Sequence, residues 1–432
     1  MKNLIAIGLC LFTFTLVGQG EFQALVHEQA SQLEEKVIEW RRYLHEHPEL
    51  SNREFETAAM VAKHLTSLGM EVRTKVGLTG VVGILHGGKP GKTVALRADM
   101  DALPVTERVD LPFASKVRTT FLGQETGVMH ACGHDTHVAM LMGAAEILAG
   151  MKAEVPGTVV FIFQPAEEGA PPGEEGGAEL MVKEGVLKDP AVDAIFGIHI
   201  NSMTPVGEVR FKPGGALAAV NRLVIRVKGK QTHGSTPWTG IDPVTVSAQI
   251  ILGLQTIVSR QTDLTKEAAV ISIGKITGGV RSNIIPEEVE MIGTIRTLDP
   301  DMQREIHERI RRTVTHIAEA SGATAEVEIE KGYPVTYNDP ELTSKMGKTM
   351  QAVAGVDNVV LTRARTGAED FSFYAEEIPG LFVFLGGMPA DQDPTQAAPH
   401  HTPDFYIDES GLQLGVELYT NLALDYLLLM NE

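Results

Sequence analysis

Apolar residues recur along this chain with two different periods, and the switches between them lay out its elements. From Phe22 to His45 the positions Leu25, Val26, Leu33, Val37, Trp40 and Leu44 recur at helical spacing, until Pro48 stops the pattern. A second helix is predicted from Glu54 to Leu68, closed by Gly69. Short apolar runs follow, predicting strands over Gly80–Leu85, Thr93–Ala98, Thr158–Gln164 and Ala194–His199, with helices after His134 and near Gly177–Glu184. Such alternation predicts an α/β fold: a largely parallel or mixed sheet with helices on both faces.

The rhythm changes between residues 219 and 330. Leu223–Val227 reads as a strand, Pro243–Ser259 as a helix, Ala268–Ile276 and Val289–Thr297 as strands, Asp301–Ala320 as a helix and Thr324–Ile329 as a strand. That β-α-β-β-α-β order is the split βαβ arrangement of a ferredoxin-like α+β domain. The expected organisation is therefore two domains, one built from residues 21–218 and 331–432 and the other inserted as residues 219–330. The α/β pattern resumes with a helix from Pro340, strands near Asn358–Thr362 and Leu381–Leu385, and a closing helix from Asp408 to Leu429.

Residues 1–20 have a different character. Lys2 precedes an apolar run from Leu4 to Val17, with small Gly18 and Gly20 at a plausible cut, which is the pattern of a secretory signal peptide. The run is short for a membrane span, and Leu9 before Cys10 does not suit a lipid-modified cysteine, so no membrane anchor is expected. Cys10 would leave with the leader. Cys132 would then be the sole thiol of an exported protein, and in an oxidising compartment it needs burial or a metal to protect it.

Composition narrows the partners. An apolar content of 43% supports ample core, and 56 acidic against 37 basic residues give a net charge of −19 with no basic run. Nucleic acid and anionic membranes are therefore unexpected partners.

Candidate chemistry centres on Met129–His137 (MHACGHDTH), which places one thiol and three imidazoles within nine residues at a helix entry. Cys and His are ligands of borderline-soft metals, and Asp is the usual partner that orients a ligating His. Glu167 and Glu168 follow the strand Val159–Phe163 and point to opposite sides of an extended segment. One can bind metal while the other takes a proton from water whose pKa a metal has lowered towards ~7. His199 ends another strand, His400 and His401 follow the strand at Leu381–Leu385, and Asp99 and Asp101 emerge from the strand ending at Ala98. Taken alone, each has an ordinary structural reading as a turn, a cap or an acidic loop. Jointly, Cys132, His134, Glu168, His199 and His401 all fall at ends of predicted core elements, where α/β sheets build their sites. Five donors suit two divalent ions sharing one bridging ligand.

The chain resembles the amidohydrolase branch of the aminoacylase and glutamate-carboxypeptidase metallopeptidases, which includes hippurate hydrolases and indoleacetyl-amino-acid hydrolases. The resemblance rests on Arg97–Pro104 (RADMDALP), His130–Asp135 (HACGHD), Gln164–Gly169 (QPAEEG), Gly197–His199 (GIH), His233–Pro237 (HGSTP), Ser282–Pro286 (SNIIP), Gly367–Phe371 (GAEDF) and His401–Pro403 (HTP). It implies a metallohydrolase domain with a binuclear site and an inserted lid-like domain that commonly dimerises. On this resemblance Cys132 is the bridging ligand, with His134, Glu168, His199 and His401 completing the set. Glu167 is the general base and acid, and Asp101 orients from behind the metals. His233 stabilises the oxyanion, often from the partner subunit, and Asn283 holds the substrate's free carboxylate. Where the family often has Ser before its Glu-Asp pair this chain has Ala368, and of His400 and His401 the following Thr-Pro favours His401.

The expected function is metal-dependent hydrolysis of the amide bond of N-acyl amino acids or similar conjugates. A cell-envelope dipeptidase or carboxypeptidase is the alternative. A non-catalytic metal- or substrate-binding protein would be expected to lack the second glutamate, yet Glu167 is present. The thiolate and imidazoles suit zinc, cobalt or nickel, and the carboxylates leave manganese open.

Overall fold

The structure, a computed structural model, describes residues 19–429; the apolar run of the expected export leader lies outside the described residues. Helices α1 (Gln19–Glu46) and α2 (Phe55–Ser67) lead into strands β1 (Glu71–Val76), β2 (Gly80–His86) and β3 (Lys89–Asp99). A hairpin, β4 (Arg118–Phe121) and β5 (Gln124–Gly127), precedes α3 (His134–Gly150), β6 (Pro156–Gln164), α4 (Gly177–Lys183), β7 (Ala194–Pro205), β8 (Val209–Phe211) and β9 (Gly214–Leu217). Next come β10 (Ala219–Lys228), β11 (Thr232–His233), α5 (Pro243–Thr256), β12 (Ala269–Gly278), β13 (Ile284–Ile285), β14 (Glu288–Thr297), α6 (Pro300–Ala320) and β15 (Thr324–Lys331). The chain ends with β16 (Thr336–Asn338), α7 (Pro340–Ala354), β17 (Val359–Leu361), α8 (Ser372–Glu377), β18 (Gly380–Met388) and α9 (Leu412–Leu429).

The fold is a mixed α/β one. The large sheet runs β1-β2-β6-β3-β7-β18-β8-β17, with β6, β3, β7 and β18 parallel to one another at its centre and antiparallel pairs on either side. The central strands are apolar on both faces because helices cover both. On one face α1, α3 and α9 pack around Val37, Leu141, Leu148, Val416 and Leu422; on the other, α4 and α8 bury Met181 and Tyr374. Helix α3 is buried almost all round, so its sequence is apolar rather than striped.

The second sheet, β12-β14-β10-β15, is antiparallel throughout. Helices α5 and α6 cover one face of it, and Leu223, Ile225 and Val227 meet Ile250, Leu254, Ile306 and Ile310 in a core separate from the larger one. Asp299 caps α6 by accepting the Met302 N–H at 2.8 Å, and Pro300 fills the first turn.

Several short elements escaped the pattern of apolar positions. Strand β1 (EVRTKV) is an edge strand with no buried residue, so its sequence lacks alternation. Strands β8, β9 and β16 span three or four residues each, too few to show a period, whereas the equally short β17 falls within the strand expected near Asn358–Thr362.

Candidate metal centre and cleft

Four neighbouring strands deliver the site. β3 ends at Asp99, β6 at Gln164, and β7 and β18 pair in parallel with His199 opposite Phe384, so their C-terminal ends open on one cleft. Helix α3 enters from below through Gly133, whose φ of +88° is left-handed and where a Cβ would lie 2.3 Å from Ile200. Only glycine permits this turn. It sets Cys132 and His134 side by side on the cleft floor.

The floor is anchored by one guanidinium. Arg97 is buried and donates to Asp99 (2.7 Å), Asp370 (2.8 Å) and Gln164 (2.8 Å), and it lies 2.9 Å from Glu369. Asp370 also accepts the Gln164 amide and the Ala178 N–H, both at 2.8 Å. Residues far apart in sequence are thereby held to β3. Tyr419 of α9 donates its hydroxyl to Arg97 O (2.7 Å) and takes the Ile198 N–H (3.3 Å), tying β3 to β7 from the opposite layer.

Asp101 organises the glutamate pair. Its carboxylate accepts the backbone N–H groups of Glu167 and Glu168 at 3.0 Å and the Ser51 hydroxyl at 2.7 Å, and it lies 3.3 Å from His134 Nδ1. Ala166, just before the pair, has a left-handed φ of +53° and donates its N–H to Glu54. This strained turn is held from both sides. Glu167 is buried, and burial together with Glu369 and Glu168 pushes its carboxyl well up from the ordinary range.

Donor atoms converge in overlapping sets. Cys132, His199 and His400 offer atoms within 4.8 Å of one another, as do Cys132, Glu168 and His401, and also His134, Glu167 and Glu168. The Cys132 Sγ lies 3.5 Å from His199 Nε2 and 3.5 Å from His400 Nδ1, and His401 Nε2 lies 3.1 Å from Glu168. Cys132 thus belongs to two donor sets, the arrangement a shared ligand requires. Both histidines of the His400-His401 pair face it, although sequence reasoning singled out only His401. His401 reaches its place through a left-handed φ of +63°.

The residues fit a pair of divalent cations. His134 Nε2 is buried without a hydrogen-bond partner; its nearest carboxylate oxygens, on Asp99 and Glu167, are 3.8 and 3.9 Å away, outside hydrogen-bonding range. Burial opposes protonation of His134, but Asp99 and Asp101 outweigh it and push its pKa up to about 10. Burial and the Glu168 and Glu167 carboxylates push the Cys132 thiol up. A cation among these groups would satisfy the orphaned nitrogen, offset the clustered negative charge and favour the thiolate. His137 differs: its Nε2 accepts the Ile200 N–H at 2.8 Å and its Nδ1 meets Asp99 at 2.5 Å, so both nitrogens are used in support.

His233 and Asn283 are elsewhere. His233 sits on β11 of the two-residue ladder β11–β13 and Asn283 immediately before β13, both exposed, and neither lines the cleft of this chain. His233 Nδ1 accepts the Ser235 N–H at 3.0 Å, which leaves Nε2 as the donor. The cleft itself is a cavity of about 380 Å³ that includes Cys132, Glu167, Glu168, His199 and both loop histidines. Sequence reasoning missed Tyr333, Arg365 and Phe384 in its wall. Tyr333 donates its hydroxyl to Glu167 O at 2.8 Å. No motif marks these residues; an isolated Arg in a polar stretch has no local signal.

A buried carboxylate beside two donor sets that share Cys132 fits a metal-dependent hydrolase. Residues 95–425 match the peptidase family M20/M25/M40, and the chain belongs to that family. It is 44% identical over 397 residues to thermostable carboxypeptidase 2 of Saccharolobus solfataricus, covering 91% of this chain and 96% of the relative. N-acetylcysteine deacetylase of Bacillus subtilis is 39% identical over 390 residues, covering 90% and 96%. Among solved structures, the YXEP protein of Bacillus subtilis, described as a dinuclear metal-binding peptidase of the M20 family, matches with a TM-score of 0.76 and 36% identity, covering 92% of this chain and 99% of its own. The protein is accordingly a metal-dependent hydrolase of the dinuclear M20 kind, acting on amide or peptide bonds.

Proposed function

We propose that this enzyme hydrolyses the amide bond of small N-acyl amino acids. Cys132, His134, Glu168, His199 and His401 would hold the two divalent ions, with His400 beside them. Bound there, such ions acidify water and polarise a carbonyl. The observation that carries the reading is the placement of Glu167, buried, held through its N–H by Asp101 and opening on the same cavity as Cys132. From there Glu167 takes a proton from the attacking water and returns it to the departing nitrogen. Asp101 keeps Glu167 and Glu168 in register, and Arg97 balances the carboxylates beneath them.

A cavity of about 380 Å³ suits a small acyl amino acid, and the relative named N-acetylcysteine deacetylase supports this substrate class. The carboxypeptidase relative supports a second reading, removal of a C-terminal residue from a short peptide. Metal analysis, with turnover of N-acetyl, N-benzoyl and dipeptide substrates before and after chelation and metal add-back, tests both. About two ions per chain with turnover lost and restored is the expected result. Full activity in metal-free protein would overturn it, and the panel ranks the two substrate classes.

The same reading makes the enzyme an exported homodimer. Export is supported by Lys2 and the apolar run from Leu4 to Val17. Dimerisation through the part around residues 219–330 is supported by the position of His233 and Asn283, exposed and outside the cleft of their own chain, where another copy's cleft could meet them. Among the described residues no helix is long and apolar enough to cross a membrane. A mature N-terminus near residue 21, and a dimer by light scattering, are the expected observations.

A further inference from the structure

We infer that Arg365 contacts the free α-carboxylate of the substrate, alongside Asn283, to which the resemblance assigns that group; this rests on the proposed function, and holds for either an N-acyl amino acid or a peptide with a free C-terminus. Arg365 lines the same cavity as Cys132 and Glu167. Its backbone is fixed: its N–H donates to Ala216 O at 2.9 Å and its carbonyl accepts the Ala218 N–H at 3.1 Å, forming a bridge with Leu217. The guanidinium lies 4.3 Å from the centroid of Phe384, a geometry that holds it in place through the ring face. Phe384 stands opposite His199 on one neighbouring strand and opposite Arg210 on the other. The same ring lies 6.4 Å, centroid to centroid, from that of His199, so it neighbours both a donor histidine and the cation.

Arg365 is half-buried and no carboxylate among the described residues lies within ion-pairing distance of it. The two fully buried arginines are matched, Arg41 with Asp135 and Glu409, Arg97 with Asp99, Glu369 and Asp370; half-buried Arg296 of the second sheet, like Arg365, has no ion pair among the described residues but lies outside the cleft. The charge nearest to Arg365 in effect is another cation, Arg210, itself paired to Glu208 at 2.7 Å. A partly desolvated guanidinium without a counter-ion is costly, and a substrate carboxylate would remove that cost on binding. Arg365 and Cys132 line the same cavity, so a substrate whose acidic end meets Arg365 can present its amide to the donor cluster. The planar fork suits bidentate contact with a carboxylate.

The test compares N-benzoylglycine with N-benzoylglycinamide in the metal-loaded enzyme and in Arg365→Met and Arg365→Lys. Melting temperature and metal content are measured alongside and are expected to be unchanged. Losing a charge-assisted contact corresponds to about 10- to 100-fold. Arg365→Met should lose about that much kcat/KM on the acid, mostly through KM, and change the amide within about 3-fold; Arg365→Lys should fall between. Equal losses on acid and amide would overturn the inference, since that is the signature of a packing role against Phe384. A loss confined to substrates with a side-chain carboxylate, tested with N-benzoyl-aspartate α-amide, would overturn it as well. Calorimetric binding of N-benzoylglycine separates this inference from the functional reading. If wild type hydrolyses neither compound but binds the acid through Arg365, the inference stands and the reading falls; binding that is equal in Arg365→Met overturns the inference.

Discussion

The cleft floor and the β11–β13 ladder carry the two groups of residues that the motifs single out, and they are built in opposite ways. On the floor, Arg97, Asp101, Gln164, Glu167 and Asp370 are buried and cross-linked by hydrogen bonds between strands and loops far apart in sequence, with buried His134 3.3 Å from Asp101. At the ladder, His233 and Asn283 are exposed, His233 on one two-residue strand and Asn283 immediately before the other. Charge that must be placed to a few tenths of an ångström needs rigid walls and low dielectric. A histidine that serves a second molecule must instead stay accessible. The exposure of His233 and Asn283 fits the dimer proposed above.

Breaking the floor should have the largest effects. Glu167→Gln keeps the shape of the side chain and removes the base, so kcat should fall about 10²- to 10⁴-fold while metal content stays the same by elemental analysis. Near wild-type turnover would remove Glu167 from its role. Arg97→Met leaves Asp99, Glu369 and Asp370 buried without their cation, and urea unfolding should show a loss of about 3–5 kcal/mol. A loss near zero would mean that the floor is not the rigid charge scaffold described above.

The ladder should respond differently. His233→Ala should lower kcat by about 10²-fold, leaving metal content and melting temperature unaltered because the side chain is exposed. Mixing His233→Ala with Glu167→Gln subunits sharpens the comparison: recovered activity places His233 at a partner's cleft, whereas an active monomer rules that out. The smallest effect belongs to the second sheet's own construction. Asp299→Ala removes the cap of α6 and should cost about 1 kcal/mol, read from thermal melts, with turnover at low temperature unaffected.

The sequence by itself determined the longer elements and the chemistry available to them. Periodicity located the helices α1, α2, α5, α6 and α9 and the central strands, because one face or both must be apolar over many residues. Cys132, Glu167, Glu168, His199 and His401 could be picked out because each sits at the end of such an element. Tertiary structure alone decided which of these meet. The order β6-β3-β7-β18 brings Asp99, Gln164 and His199 to one cleft, and Arg97 joins residues as distant as Asp370, which no local period records. It also placed His400 as close to Cys132 as His199 is, turned His233 and Asn283 away from their own cleft, and left Arg365 on Phe384 without a counter-ion. Periodicity reports what each element buries, whereas convergence of charges depends on strand order and loop path, which are set by the packing of the whole chain.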